Sequence, residues 1–213
     1  MTDEELIEKF YEGDREALAV IFERHKEGVF NFALRMVNNR ADAEDIISDT
    51  FGRVCDSRNK FVQKAKFKTW LYTIARHACI DKIRSRRKWG SMWFEKKNSN
   101  EQAQMDFPSD DESASQVLDR KEVSQHIQSA INKLPSDQRE AIMLREFQEL
   151  AYDEIAQMLG CSLANVKILI YRARVQLKDS IPAFVIEFLS NNQNAKSPKR
   201  FDVDKEKFNQ EGR

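Results

Sequence analysis

Turn-forming residues are scarce in this chain: six glycines and four prolines interrupt 213 residues, and few segments alternate apolar and polar residues with the period of two that a half-buried strand requires. That argues against a β-rich architecture and points to an all-α protein. Cysteine is equally sparse. Cys55, Cys79 and Cys161 are odd in number, far apart and form no Cys-x-x-Cys pair, so neither a disulfide framework nor a zinc site is supported; they read as small core residues or surface thiols. No run approaches the roughly 18 to 20 consecutive apolar residues of a membrane span, and the first residues are acidic and polar, unlike the basic-then-apolar start of a secretory leader. A cytoplasmic protein with no membrane insertion is the expectation.

Net charge is absent too, with 35 Lys and Arg against 35 Asp and Glu, but the neutrality comes from sorting. Met1 to Gly52 holds six basic and thirteen acidic residues, whereas Arg53 to Lys97 holds fourteen basic and three acidic. Phe61, Phe67, Trp70, Tyr72, Trp89, Trp93 and Phe94 are threaded through the basic block. Cationic side chains neutralise phosphates and release counterions, and aromatic faces give unstacked bases a platform, so the combination suits a chain that grips opened nucleic acid. A solvated helix face would carry the same charge run.

The length suffices for one large or two small domains, and two are expected. Residues 91–115 have no helical apolar stripe and contain Asn98-Ser99-Asn100, Pro108 and the acidic cluster Asp106, Asp110, Asp111 and Glu112, the pattern of a flexible acidic linker. The expected units are 1–90, a linker over 91–117, a second helical domain over 118–180 and a mostly disordered extension over 181–213. In the first unit, residues 4–22 and 27–37 place Phe10, Leu18, Ile21, Phe22, Phe30, Ala33, Leu34 and Val37 at helical steps. Asn39 caps a third helix over 40–55, with Asp42 and Glu44 in its first turn. Asp42, Asp45 and Asp49 share a narrow arc, with Ile47, Phe51, Val54 and Cys55 opposite. Carboxylates this close repel one another, which favours a basic partner surface over a merely solvated ridge. A metal site is remote, because no Gly-containing ligand loop or second-helix Asp/Glu/His cluster accompanies them; no cofactor, metal or catalytic residue is expected.

A polar connection over 56–65 leads into a helix over 66–88 whose stripe is Phe67, Trp70 or Leu71, Ile74, Ala78 and Ile83. Lys68, Arg76, Lys82, Arg84, Arg86, Arg87 and Lys88 lie largely outside it. Trp70 fits a core position better than a stacking platform, and His77 has no metal partners near it. In the second unit Ile131, Leu134 and Pro135 close one helix and Ser136 caps the next, with Glu140 in its first turn and Arg139, Ile142, Met143, Glu146 and Phe147 following. Residues 152–159, the turn Gly160-Cys161-Ser162 and residues 163–178 then read as helix, tight turn, helix. Ala156 allows close approach, Gly160 suits a positive φ, and Ile155, Leu159, Val166 and Ile170 form the wedge. With Val166, Ile170, Ala173 and Leu177 inward, Asn165, Lys167, Ile168 and Arg172 face outward, and Leu169 and Arg174 obliquely so. Asn pairs with adenine, Arg with guanine or phosphate, and an exposed Ile suits a thymine methyl. An ordinary helical hairpin is the plainer alternative.

These residues carry a family resemblance. Ala43-Glu44-Asp45-Ile46-Ile47-Ser48-Asp49-Thr50-Phe51, then Trp70-Leu71-Tyr72-Thr73-Ile74-Ala75-Arg76 with Asp81 and Arg84, then Leu134-Pro135 with Gln138-Arg139, and finally Glu154-Ile155-Ala156 with Val166-Lys167 and Arg172-Ala173-Arg174 together resemble an extracytoplasmic-function (ECF) sigma factor of the sigma-70 family. The likeness runs from about residue 5 to 178. It implies a non-enzymatic initiation factor with a region 2 bundle and a region 4 helix-turn-helix, whose partners are core RNA polymerase, through its β′ coiled coil and β subunit, and promoter DNA. It also implies an anti-sigma factor, which can hold the protein at the inner membrane.

By the same resemblance, Asp42, Asp45, Ser48, Asp49 and Arg53 dock on the β′ coiled coil. Arg58, Asn59, Lys60, Phe61, Lys64, Lys66, Lys68, Tyr72, Arg76, Arg84 and Arg87 bind the minus-ten element, capturing an extruded base and the melted strand. Ser162, Asn165, Lys167, Ile168, Leu169, Tyr171, Arg172 and Arg174 meet the minus-thirty-five element, and the acidic linker threads the polymerase cleft. Members often show Gly-Thr-Val followed by a basic residue, Ser and Arg in the recognition helix, where this chain has Ala164-Asn165-Val166-Lys167-Ile168-Leu169. An altered or weaker upstream preference is the expectation. The segment 183–189 is apolar and suits docking on a domain or a partner. A stand-alone helix-turn-helix repressor or activator is the alternative function, and a metal-dependent nuclease a distant third.

Overall fold

The computed structural model describes residues 1–56, 61, 66–90 and 114–191, and these are all-helical, as the scarcity of turns requires. The first domain packs α1 (Asp3–Tyr11), α2 (Arg15–Val37), α3 (Arg40–Asp56) and α4 (Phe67–Gly90). The second contains α5 (Ala114–Lys133), α6 (Ser136–Ile142) running into a π-helical turn (Met143–Phe147), α7 (Tyr152–Leu159), α8 (Leu163–Ser180) and α9 (Ala183–Asn191). Most of the acidic linker expected over 91–117 lies outside the described residues.

Two helix boundaries differ from the periodicity reading. The stripe expected to run unbroken over 4–22 is interrupted at Gly13, which has φ 111°, and Asp14, whose carboxylate accepts hydrogen bonds from the amides of Glu16 and Ala17 at 2.9 and 3.3 Å. An N-cap of this kind starts a helix whatever the apolar spacing around it. Residues 23–26, between the two apolar segments, are helical as well, and α2 runs through them. Asn39 does cap α3, its side-chain oxygen accepting from the Asp42 amide at 2.9 Å. Ser136 does not cap α6: it lies inside the helix, and its hydroxyl bonds the Asp137 carboxylate.

The core of the first domain is built from Ile7, Ile21, Phe32, Ile46, Phe67 and Leu71, all fully buried. Its α3 contribution is Ala43, Ile46, Thr50, Phe51 and Val54, while Ile47 and Cys55 are only partly buried. The buried face is therefore rotated from the one assigned by Ile47, Phe51, Val54 and Cys55. Thr50 is compatible with it because its hydroxyl donates to the Ile46 carbonyl at 2.6 Å and so is not left unpaired. Trp70 joins an aromatic cluster with Phe61 and Phe67, ring centroids 5.2 and 5.8 Å away. Cys79 is buried, and burial pushes its thiol up to about 12.

The apolar segment noted over 183–189 forms α9 and packs on the second domain. Val185 of α9 is fully buried, and Phe184 meets the His126 ring edge-on at 5.3 Å. A short apolar helix attached by Pro182 gains enough from covering α5 to order itself. Residues 192–213 lie outside the described residues.

Candidate nucleic-acid interface

The helix-turn-helix forms as its residues dictate. Gly160 ends α7 at φ 64°, and the Ser162 hydroxyl accepts the Asn165 amide at 3.2 Å to start α8. Val166, Ile170, Ala173 and Leu177 are buried. The opposite face presents Asn165, Lys167, Ile168, Tyr171 and Arg172, all exposed, with Leu169 half-buried. Arg174 is different: its Nε and Nη2 donate to Glu146 Oε1 at 3.1 and 2.6 Å. In this arrangement it braces α8 against the π-helical turn and is not presented to a groove. Ser162 likewise serves as the helix cap.

The acidic ridge of α3 is not bare. Asp42 keeps only 14 % of its side chain exposed and lies 2.6 Å from Arg86 Nη2 and 3.5 Å from Lys82 Nζ of α4. Lys82 also donates to Asp45 at 2.7 Å, and that hydrogen bond is the main reason its ammonium is held above its ordinary pKa. The helix that concentrates positive charge is thus clasped to the helix that concentrates negative charge. Asp45, Ser48, Asp49 and Arg53 remain exposed, with Arg53 4.0 Å from Asp81. Asp42 is turned inward, which the like-charge spacing along α3 alone could not reveal.

The basic residues of α4 divide as well. Arg84 is exposed and Lys68 half-buried. Phe61 packs on Phe67 and Trp70. Arg58, Asn59, Lys60 and Lys64 lie outside the described residues, as does the side chain of Arg87. Two residues of the expected DNA-facing set are covered here: Tyr72 is buried edge-on against Phe32, and Arg76 reaches the second domain. Tyr72 is 1 % exposed, and burial raises its phenol pKa. Arg76 Nε donates to Glu140 Oε2 at 2.7 Å, with the two side chains 16 % and 8 % exposed.

That pair is the centre of a seam between the domains. The Thr69 hydroxyl donates to Glu154 Oε1 at 3.0 Å, and Lys66 Nζ lies 3.3 Å from the same oxygen. Burial works against the charge of Glu154, yet the hydrogen bonds from the Ala151 amide, Thr69 and Lys66 outweigh it and hold the carboxyl below its ordinary value. Gln148 donates to the Gly28 carbonyl at 3.5 Å and Gln128 to the Arg35 carbonyl at 3.2 Å. Arg35 itself stacks its guanidinium 4.2 Å over the Phe147 ring, and burial lowers its pKa to about 10. Its Nε and Nη1 find no hydrogen-bond partner among the described residues. Sequence reasoning missed this seam. The available signals were Arg35 inside the apolar run Ala33 to Val37 and Glu140 leading into Ala141 to Leu144, since a charge set in a buried run needs a partner.

The fold and the exposed face of α8 define a two-domain, all-helical DNA-binding protein. Residues 21–88 match the Sigma-70 region 2 model and residues 124–177 the Sigma-70, region 4 model. RNA polymerase sigma factor YlaC of Bacillus subtilis is 30 % identical over 78 % of this chain and 93 % of its own length. The ECF RNA polymerase sigma factor SigW of the same species is 29 % identical over 82 % and 94 %. The chain belongs to the ECF sigma factors of the sigma-70 family. The structure of CnrH in complex with the cytosolic domain of CnrY is similar, with TM-score 0.62, 22 % identity and coverage of 83 % of this chain and 95 % of that one. So is the sigma factor RpoE in complex with the anti-sigma factor NepR from Bartonella quintana, with TM-score 0.61, 23 % identity and coverage of 79 % and 96 %. A stand-alone helix-turn-helix regulator is not favoured. Among the described residues no cluster of His, Cys, Asp and Glu could hold a metal, and no helix is long and apolar enough to cross a membrane.

Proposed function

We propose that this chain binds core RNA polymerase and directs it to promoters, with no catalytic role of its own, working in the cytoplasm under the control of an anti-sigma factor. The observation that carries the reading is the ordered presence of both sigma regions in one chain, covering 21–88 and 124–177. The exposed part of α3, namely Asp45, Ser48, Asp49 and Arg53, is the docking surface for the β′ coiled coil. Asp42 supports it from within by anchoring Lys82 and Arg86. The connection over 58–66 with Arg84 and Lys68 takes the minus-ten strand, and α8 takes the minus-thirty-five duplex. The functional units are 1–90, 91–117, 118–180 and 181–213.

Replacing Asp45 and Asp49 together by Lys tests the docking surface. Both are exposed, so loss of the Lys82 pair costs little stability, about 1 kcal/mol or less. Affinity for core polymerase in a pull-down is expected to fall on the order of tenfold or more, since lysines would then face a basic partner surface. Helicity and melting temperature should stay near wild type. Undiminished core binding would reassign the ridge, and an absence of promoter-dependent run-off transcript from the wild-type holoenzyme would reject the whole reading.

A further inference from the structure

The outer face of α8 is unusual for a surface that meets DNA, because its centre line is apolar. Ile168, Tyr171 and Val175 recur at steps of three and four and so share one face, and they are 40 %, 56 % and 37 % exposed. Ala164 begins the same line and is exposed as well. Lys167 lies on one flank and Arg172 on the other, both exposed. Arg174, the other arginine of the helix, is occupied by Glu146. In the first two turns the polar side chains open to a ligand are therefore Asn165 and Lys167.

A major groove offers few groups to an apolar side chain. Base edges there present hydrogen-bond donors and acceptors, together with one apolar group, the C5-methyl of thymine. The flanking cations match the two phosphate backbones that border a groove. We infer that Ile168, supported by Tyr171, is a specificity-determining residue that selects thymine in the upstream duplex element by contact with its methyl group, while Lys167 and Arg172 position the helix on phosphate. The inference rests on the reading of α8 as the minus-thirty-five reader. It narrows the expected altered or weaker preference to an altered one, in which a buried methyl substitutes for a bidentate polar pair.

Deoxyuridine provides the test, since it keeps every hydrogen bond of thymidine and removes the methyl alone. A randomised duplex pool is selected with the holoenzyme, and the selected duplex is resynthesised with dU replacing dT one position at a time in the upstream element. Wild-type holoenzyme is expected to lose roughly fourfold in binding at one or two positions, the worth of about one buried carbon group. Ile168→Ala should bind dT and dU duplexes equally at those positions, and Ile168→Val should retain the discrimination. Ile168 is exposed, so neither variant endangers the fold. If an upstream element is selected yet dU is tolerated throughout, the methyl contact is refuted while the sigma reading stands. If no upstream element is selected and Arg172→Ala is silent, α8 is not the reader, and both fall. If Ile168→Ala leaves base preference unchanged but weakens capture of a protein partner, the stripe is a protein-docking face and the proposal is overturned.

Discussion

Glu140→Arg is expected to separate the two domains. Its carboxylate receives Arg76 Nε at 2.7 Å across the seam, with both side chains largely shielded from water. Removing one partner of such a pair leaves an uncompensated buried charge, typically at a cost of about 3–5 kcal/mol, and reversal adds repulsion. About 3 kcal/mol shifts a closed-to-open ratio by roughly two orders of magnitude. The side-chain hydrogen bond of Glu140 runs to the first domain and not to its own, so the helices of each domain should persist. Small-angle scattering should report a larger radius of gyration at unchanged helicity. Glu140→Gln, which keeps the shape and removes the charge, should fall between, and Arg76→Glu combined with Glu140→Arg should close the chain again. An unchanged radius in the single variant would show that the apolar and neutral contacts suffice without the ion pair.

Protons should act on the same seam through Glu154. Its folded pKa is depressed, so the stability it contributes is present in full above the ordinary value of 4.5 and is lost as pH falls through the lower folded value. Acid therefore loosens the Thr69 and Lys66 contacts.

Elements whose cause is local were legible in the sequence. The cap at Asn39, the turn at Gly160 and the buried line Val166, Ile170, Ala173 and Leu177 each follow from residues within a few positions of one another. Periodicity failed where another local force overrode it, as at Asp14, or where a polar residue joined the core by bonding its own helix, as Thr50 does. The surface assignments were the least legible. Asp42 and Lys82 are 40 residues apart in the chain, and Arg76 and Glu140 are 64 apart. Each reads as a solvated charge until tertiary packing supplies its partner, because a helical wheel separates inside from outside but says nothing about which outside will be covered by another domain. Tyr72 shows the same limit, since an aromatic beside cations fits both a base platform and the buried place against Phe32 that it takes.

Gly28→Ala is expected to destabilise the protein even though it improves the helix. Gly28 lies within α2, where Ala is favoured over Gly by about 1 kcal/mol. A Cβ built there, however, would stand 2.5 Å from Tyr72 Oη and 3.7 Å from Gln148 Oε1. Tyr72 has little room to retreat, being almost wholly buried and set edge-on against Phe32 at 5.6 Å. Overpacking of this kind costs about 1–3 kcal/mol, enough to reverse the gain in propensity. The clash involves the hydroxyl and not the ring, whose Cζ would be in ordinary contact at 3.9 Å. Tyr72→Phe should therefore rescue Gly28→Ala, and in that background the alanine should raise the melting temperature. The coupling from the double-mutant cycle should be about 1–3 kcal/mol. If Gly28→Ala stabilises the protein equally in both backgrounds, the hydroxyl is not what holds position 28 to glycine, and the close approach of α2 and α4 beneath the second domain has been misread.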